Sequence, residues 1–384
     1  MDFSLTSDQL LIRDTVRQFM ETEMRPIIRE YERAHKFPTE QIRRLGEMGY
    51  CGMLIPEEWG GAGTDTISYA LMLEEVARVE ASTAVVLSVT NSVASVPLLK
   101  HGTDAQKKKY LSRLARGEII GAFCLTEPGA GSDAAGIQTR AVRSGDHYLL
   151  SGTKIWVSNG DISGLYVVFA KTDPNAGARG VTAFLVEPSF PGFRVSRYEE
   201  KMGMHLSPTV ELVFEDCRVP AENRLGEEGH GLKIALEALD GGRIGIAAQS
   251  VGLAQGAMEA AVRYAKQRRT FGQPIAEYQA IQWMIADMQT EIEAARALMH
   301  YAASVRDSGS QRLGPHSSRA KLYASEMANR VAYKAVQIHG SLGYSRESDV
   351  ERMYRDARVL TIYEGTSEMQ RLVIARDLLR HSYF

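Results

Sequence analysis

Glu127-Pro128-Gly129-Ala130-Gly131-Ser132-Asp133-Ala134 is the stretch on which the fold turns, because Gly129, Gly131 and Ala134 satisfy the G-x-G-x-x-A pattern of a dinucleotide-binding turn. That pattern holds a pyrophosphate only where a strand leads in and an amphipathic helix leads out, so that the ligand meets the helix N-terminus. Here the chain runs from Ala134 through Gly136 and Gly145 into a strand-like segment, with no helical periodicity and no second βαβ unit. A doubly wound α/β fold is therefore rejected. Two readings of the loop stay open: a cradle of backbone N–H groups for a phosphate, aided by the hydroxyls of Thr126 and Ser132, or a plain tight turn.

The segments around this loop supply the alternative fold. Tyr148-Leu149-Leu150, Leu165 to Phe169, Val181 to Val186 and Val210 to Phe214 are short runs rich in β-branched and aromatic residues, separated by Gly, Pro, Asn and Asp. Such spacing predicts a small antiparallel β-domain. Six of the twelve prolines lie between Pro128 and Pro220, whereas only Pro274 and Pro315 follow. From Gly231 onward the sequence reads as long helices. In one of them Ile281, Ile285, Met288, Ile292, Ala295 and Met299 recur at three- and four-residue steps, one apolar stripe for an antiparallel bundle. The N-terminal third is also helical, with a cap at Ser7-Asp8-Gln9-Leu10 and a partial apolar face of Leu10, Val16, Phe19 and Met20. The fold class is α+β in three segments: 1–118 helical, 119–230 β, 231–384 helical.

Composition narrows the function classes. With 384 residues, 44% hydrophobic, 24% charged and a net charge of -2, the chain has no basic field to attract nucleic acid. Cys51, Cys124 and Cys217 are odd in number and widely spaced, which supports neither a disulfide framework nor a metal site. A reducing compartment is expected. Met1-Asp2-Phe3-Ser4-Leu5-Thr6 shows no leader pattern and no run of about 18 apolar residues is read anywhere, so neither export by an ordinary signal nor a membrane span is expected.

Two short segments look chemical. In Lys154-Ile155-Trp156-Val157-Ser158-Asn159-Gly160, strand alternation puts Trp156 and Ser158 on one face, where an indole and a hydroxyl could meet a flat heteroaromatic ring. A Trp simply packed between domains fits the same residues. In Tyr363-Glu364-Gly365-Thr366-Ser367, a glutamate stands between an aromatic residue and a glycine. A carboxylate in an apolar slot has a raised pKa and serves as a general base near neutral pH; a helix-to-helix turn capped by Gly365 is the other reading.

Phe123 to Asp133, Trp156 to Gly160, Arg268-Arg269-Thr270-Phe271-Gly272 and Ile362 to Gln370 together, in this order and spacing, resemble the acyl-CoA dehydrogenase family over essentially the whole chain. Leu239-Asp240-Gly241-Gly242-Arg243-Ile244-Gly245-Ile246-Ala247 and Ile362 to Glu368 resemble its short-chain, butyryl-CoA branch. The resemblance implies a helical domain, a β-barrel-like middle domain and a C-terminal four-helix bundle, a homotetramer (a dimer of dimers) with FAD at subunit interfaces, and electron-transfer flavoprotein as redox partner in fatty acid β-oxidation. It implies Glu364 as the base that takes the α-proton of an acyl-CoA thioester, with hydride passing to the flavin. Phe123, Leu125, Thr126, Gly131 and Ser132 would line FAD, Trp156 would pack near its ring, and Ser158 would approach the reactive nitrogen. Arg268, Phe271, Gln279, Gln337 and Gly340 would reach the FAD of a neighbouring subunit. Thr366 and Glu368 would complete the cofactor site, as flavin contacts instead of the start of a capped helix. Ser132, Asp240, Arg243 and Gly365 would contact substrate. No metal is implied, and a bacterial cytoplasm or mitochondrial matrix fits the class.

Two departures shape the substrate expectation. The isovaleryl and long-chain branches carry their carboxylate on the helix of Leu239 to Arg243, where this chain has Gly242, so the base falls to Glu364. The glutaryl branch uses an arginine where Ser82 to Ser88 offers Ala84, which disfavours a dicarboxylate. Val86, Val89, Thr90 and Val93 fall at helical spacing and either line the acyl pocket or form ordinary core. Short straight chains come first, 2-methyl-branched and alicyclic chains second, with an oxygen-using oxidase or a non-catalytic assembly protein as further alternatives.

Overall fold

The chain enters its first helix through a reciprocal cap. In the computed structural model, which describes residues 4–310 and 312–380, the Thr6 hydroxyl accepts from the Gln9 N–H at 3.2 Å and the Gln9 side chain accepts the Thr6 N–H at 3.0 Å. Thr6, not the Ser7 stretch, is thus the cap of α1 (Ser7–Phe19), because only Thr6 has a Gln three residues on to return the bond. Val16, Phe19 and Met20 are buried, but Leu10, expected on the same face, is 37% exposed. Met1 to Phe3 lie outside the described residues.

Further helices follow as α2 (Ile28–Ala34), α3 (Thr39–Glu47), α4 (Thr66–Val79), α5 (Ala81–Val89), α6 (Ser95–His101) and α7 (Asp104–Ala115). α5 and α6 are joined by a π-helical turn over Thr90–Ala94, forming one rod. Contrary to the sequence expectation, this rod, Ala81–His101, is long and apolar enough to cross a membrane by length and composition, with mean hydropathy 1.5. It is instead a core helix, buried from Ala81 to Leu98, whose polar side chains bond inward: Asn91 donates to the Tyr50 carbonyl (2.8 Å) and Thr90 to the Val86 carbonyl (2.9 Å).

The middle segment contains β1 (Ile120–Cys124), β2 (Arg140–Ser144), β3 (His147–Ser158), β4 (Ser163–Lys171), β5 (Val181–Val186), β6 (Phe193–Tyr198), β7 (Thr209–Pro220) and β8 (Arg224–Leu225). The sheet order is β6-β7-β3-β2-β4-β5-β8, with β1 added beside β4. All four expected strand runs lie within it. It is not wholly antiparallel, because β1 pairs with β4 in parallel and β2 touches β4 in parallel at Arg140 and Lys171. The glycine-rich loop ends in a short 3₁₀ turn (Ala134–Gly136) and then β2, so no helix follows it to receive a pyrophosphate.

The C-terminal part comprises α8 (Gly231–Gln267), a small hairpin of β9 (Arg269–Thr270) and β10 (Gln273–Pro274), α9 (Gln279–Asp307), α10 (Leu313–His339), α11 (Asp349–Ala357) and α12 (Ser367–Arg380). α8 is the central element, packed on α4, α9 and α10. Its approach to α4 needs glycine: a Cβ at Gly252 or Gly256 would run into the carbonyl oxygens of Glu74 and Arg78. Of the α9 stripe, Met288, Ile292, Ala295 and Met299 are fully buried, while Ile281 and Ile285 are only partly covered. Burial of each such Met or Ile contributes about 1.5–3 kcal/mol. One apolar core runs continuously from the N-terminal helices through α8 into the bundle.

Candidate active site

Glu364 sits in the turn between α11 and α12, in a left-handed backbone conformation (φ 49°) followed by Gly365 at φ 92°. Two consecutive residues in this region reverse the chain and turn the glutamate side chain inward, at a cost that the surroundings must hold. The Glu364 carboxylate lies against α8 at Gly242: its Cδ is 3.2 Å, and Val93 Cγ1 3.1 Å, from where a Cβ on Gly242 would stand. Although the residue as a whole is partly exposed, Oε2 is shut off from solvent and has no hydrogen-bond partner among the described residues. Burial pushes its pKa up to about 7, against the opposing pull of the Lys321 and Arg243 charges. An unbonded carboxylate oxygen that is half-ionised at neutral pH is a general base in waiting.

Polar groups from α8, α10 and α12 hold this turn. Lys321, fully buried on α10, donates to the Gly365 carbonyl at 2.8 Å, and burial lowers its pKa to about 8. Gln370 donates from α12 to the same carbonyl (2.8 Å) and to that of Glu364 (3.3 Å). Tyr363 donates its hydroxyl to Gln249 of α8, whose amide in turn donates to the Ala81 carbonyl at 2.7 Å. Buried Arg243 pairs with Asp240 at 2.6 Å and reaches Ser318 Oγ at 3.3 Å. Asp240 and Arg243 flank Gly242, the α8 residue that meets Glu364, within one turn of that helix. None of Lys321, Gln370 and Gln249 was legible in the sequence, because each meets Glu364 or its neighbours only through tertiary packing.

The π turn links this centre to the β-domain. Val93 faces Gly242, while Thr90 accepts from the Gly121 N–H of β1 at 3.4 Å. An extra residue in the turn re-aims the positions beyond it, so the simple helical spacing of Val86, Val89, Thr90 and Val93 does not describe one face. Val86 is core, and Val93 lines the site.

On the β side, Phe123 is half-buried against Phe169 (4.9 Å between ring centres), Leu125 is buried and Thr126 half-buried. Gly131 and Ser132 are exposed, and added Cβ atoms at Gly129 and Gly131 would meet nothing within 4 Å. The Glu127 and Ala130 amides exchange bonds across this loop (3.0 and 3.1 Å). Beneath it, Lys154 of β3 is completely buried and donates to Glu127 (2.7 Å) and to the Leu125 carbonyl (3.1 Å). Burial works to raise the Glu127 pKa, but Lys154 and the bonds from Thr139 and Gln138 outweigh it and hold the carboxyl below its ordinary value. This buried pair fixes the glycine-rich loop to the strand carrying Trp156, and sequence reading missed it.

Trp156 departs from the expected strand alternation. Register shifts between Lys154 and Val157, and Trp156 itself is left-handed (φ 57°), so a bulge and not the regular pleat aims its ring. The indole is 55% exposed and Ser158 half-buried. An outward-facing indole on a pinned bulge beside a loop of open glycine backbone suits a planar ring with an attached phosphate, and these residues fit FAD.

The other expected cofactor residues lie elsewhere. Arg268, Phe271, Gln279, Gln337 and Gly340 are all exposed, at the end of the bundle where α8 and α10 finish and α9 begins; Phe271, at φ 48°, is 99% exposed. Twenty-five residues of helix separate Gly242 from Gln267, which is about 38 Å at 1.5 Å per residue. One chain does not bring them to its own Glu364. Thr366 and Glu368 do begin a capped helix after all: the Thr366 hydroxyl accepts from the Met369 N–H at 3.3 Å, and Glu368 lies exposed in the first turn of α12. Among the described residues no cluster of three His, Cys, Asp or Glu side chains could hold a metal, and the three cysteines are free and buried.

Comparison with known proteins agrees with this layout. Family models for the N-terminal, middle and C-terminal domains of acyl-CoA dehydrogenase match residues 6–118, 122–217 and 229–379. The short-chain specific acyl-CoA dehydrogenase of Clostridium acetobutylicum is 46% identical over 99% of this chain and 100% of its own. Butyryl-CoA dehydrogenase from Megasphaera elsdenii superposes with a TM-score of 0.97 at 45% identity, covering 99% of this chain and 100% of that one. A chain in a solved structure described as the electron transferring flavoprotein of Acidaminococcus fermentans gives 0.98 at 48% identity, with 99% and 100% covered. The chain belongs to the acyl-CoA dehydrogenase family, an FAD-dependent class of oxidoreductases acting on acyl-CoA.

Proposed function

We propose that the protein removes hydrogen across the α and β carbons of a short acyl-CoA thioester, with Glu364 as the base for the α-proton. The observation that carries this reading is the buried, unbonded Oε2 of Glu364 facing the space left by Gly242. A thioester α-proton is a weak acid, so its base must be desolvated and fixed; burial and the Lys321–Gln370 clamp on the Glu364–Gly365 carbonyls do both. With no side chain at Gly365 the thioester can lie against backbone, and the amide of Glu364 is the donor offered to its carbonyl as negative charge builds there. Asp240 and Arg243 take the CoA portion, their mutual ion pair keeping both oriented.

Phe123, Leu125, Thr126, Gly131, Ser132, Trp156 and Ser158 would hold FAD, which when bound supplies the hydride acceptor for the β-carbon. The exposed Arg268, Phe271, Gln279, Gln337 and Gly340 suit a second subunit's cofactor, which supports a tetramer in which each site is completed by a neighbour. The likeness to a chain solved under the description of an electron transferring flavoprotein supports that flavoprotein as the electron acceptor. Anaerobic addition of butyryl-CoA to the yellow holoprotein is expected to bleach the flavin, and Glu364→Gln to retain FAD but bleach about 10²- to 10⁴-fold more slowly. Protein that takes up no FAD, or bleaching of Glu364→Gln at the wild-type rate, overturns the reading.

A further inference from the structure

The loop between β6 and β7, residues 199–208, lies between the Ser158 turn and α11. On one side the Pro208 carbonyl accepts the Asn159 N–H at 2.9 Å, and Ser158 stands opposite Thr209 in the β3–β7 register. On the other side the loop seats on α11, the helix that leads into the Glu364 turn: the Asp356 carboxylate accepts the Met204 N–H, and Arg355 donates to the Met202 carbonyl at 3.1 Å. The fit is close at Gly203, where a Cβ would stand 2.6 Å from the Asp356 carboxylate oxygen and 2.8 Å from the Arg355 carbonyl carbon. The seating of this loop therefore sets Ser158 relative to the approach to Glu364.

His205 fastens the loop. Its Nδ1 donates to Glu32 Oε1 of α2 at 2.8 Å, and its Nε2 donates to the Lys201 carbonyl at 3.0 Å. Glu32 also receives Arg355 at 2.8 Å; the bond from His205 and then that from Arg355 hold its carboxyl down to about 2 against burial, so it accepts and does not donate. A neutral imidazole has one N–H and could serve only one of these two acceptors, whereas the imidazolium serves both. The Glu32 bond accordingly raises the His205 pKa, against burial and the Arg355 charge. His35, the left-handed cap residue of α2 (φ 49°), stacks on the His205 ring with centroids 4.2 Å apart and planes 18° apart. A second cation there would repel the first, and burial together with the His205 charge lowers the His35 pKa. The other titratable groups around the pair are Lys201 in the loop, Arg346 ahead of α11, and Asp356 and Glu351 on α11, the last bonded to Arg355 at 2.8 Å.

We propose that His205 is a positioning residue that works as an imidazolium: bonded to Glu32 and to the Lys201 carbonyl, with a neutral His35 stacked on it, it fastens the β6–β7 loop to α2 and α11 and so registers the Ser158 turn against the Glu364 turn. The roles of Ser158 and Glu364 rest on the acyl-CoA reading above; the fastening does not. Its pH dependence has two sides. The His205 contribution is complete below the ordinary histidine value of 6.5 and is lost as pH rises through the raised folded value. The His35 stack is complete above 6.5 and is lost as pH falls through the lowered folded value. The loop is held most firmly between the two.

The test uses the holoenzyme as wild type, His205→Gln and His205→Arg, with histidine-selective carbon-13 labelling to follow each ring and deuterium exchange of residues 199–208 on both sides of neutrality. In the wild type, His205 is expected to titrate above and His35 below the ordinary histidine value. Corrected for intrinsic exchange, protection of the loop is expected to fall about 10-fold from neutral to alkaline pH, the low end of what a hydrogen bond to a charged group contributes. His205→Gln should lack that protection at every pH, and His205→Arg, which offers two donors and a permanent charge, should keep it into the alkaline range. Flavin reduction by butyryl-CoA supplies the functional arm: kcat, and not KM, should fall about 10-fold in His205→Gln through misplacement of the two turns, and the alkaline decline of the wild-type kcat should vanish in His205→Arg. A wild-type His205 found deprotonated at about pH 7 overturns the proposal even if neither variant folds. So does equal protection in the wild type and His205→Gln, or one kcat profile shared by all three proteins. If no thioester bleaches the flavin, it is the dehydrogenase reading that falls, and labelling and exchange still decide the role of His205.

Discussion

The carboxylate of Glu364 occupies the place of the side chain that Gly242 lacks, its Cδ 3.2 Å from the position of a Cβ there. Base and glycine are therefore one feature shared between α8 and the turn that joins α11 to α12. Gly242→Ala should push the carboxylate out of its slot. Because the intruding group is one methyl and the carboxylate end is flexible, the fold and FAD should survive while flavin reduction slows by about 10- to 100-fold, the consequence of misplacing a base by roughly an ångström. Stopped-flow bleaching checks this; an unaltered rate would mean that the carboxylate works from some other position.

Glu364 also sets a pH dependence. Its pKa of about 7 means that the free enzyme gains its base as pH rises, so kcat/KM should climb through a midpoint near 7. The raised pKa also acts on stability, with a defined sign. The folded carboxyl holds its proton up to about pH 7, while the unfolded one releases it near 4.5, so the folded state loses stability as pH rises between those values. Glu364→Gln removes this loss. Urea midpoints of the two proteins should converge near pH 4 and diverge by pH 8 in favour of the variant. The divergence is at most about 3 kcal/mol, at about 1.4 kcal/mol for each pH unit that separates the folded and unfolded values.

Lys321 acts through Glu364 and not on substrate. Its ammonium lowers the glutamate's pKa and anchors the Gly365 carbonyl. Lys321→Met should move the midpoint of the kcat/KM profile above 7, and Lys321→Arg should bring it back part of the way. A lower kcat with an unmoved midpoint would assign Lys321 a packing role alone.

How much of this was legible in the sequence depended on the range of the signal. The glycine-rich loop was readable because its flanks decide it locally: Gly136 and a strand follow Ala134 where a helix would have to begin. The neighbours Tyr363 and Gly365 left Glu364 open between base and turn, and only the family resemblance singled it out as the base and gave Gly242 its meaning. The Thr90–Ala94 π turn was not readable, since one additional residue per turn leaves no mark on composition. Lys154 carries no local mark of burial, and only the fold brings it to Glu127, 27 residues earlier.

The Lys154–Glu127 pair should join stability to cofactor retention. Replacing Lys154 by Met leaves the Glu127 carboxylate buried with only the Gln138 and Thr139 amides, a loss on the order of 3–5 kcal/mol. The loop from Glu127 to Thr139 would detach from β3, so FAD release should quicken at temperatures where the rest of the protein is folded. The double variant Lys154→Met with Glu127→Gln should recover much of the stability, since no buried charge is orphaned. Thermal melts read by flavin fluorescence and by circular dichroism should separate in the single variant and coincide in the wild type; coincident melts in all three proteins would show that the pair does not hold the cofactor loop.

Exchange of the two wall positions tests the shared space most directly. If Glu364 and Gly242 face one cavity, a carboxylate carried by α8 should reach the same reacting atom from the opposite side. Glu364→Gly alone should abolish bleaching, while Glu364→Gly combined with Gly242→Glu should regain at least about 10-fold over that baseline, the low end of what a positioned base contributes. The new carboxylate would lie beside Val93, with Arg243 one residue further along α8, but away from Lys321 at the Gly365 carbonyl. Its apparent pKa should accordingly exceed that of Glu364, and the rising limb of the recovered activity should shift to higher pH. Recovery with a limb at or below 7 would contradict the electrostatic role given to Lys321, and no recovery in a folded, FAD-loaded double variant would contradict the common cavity.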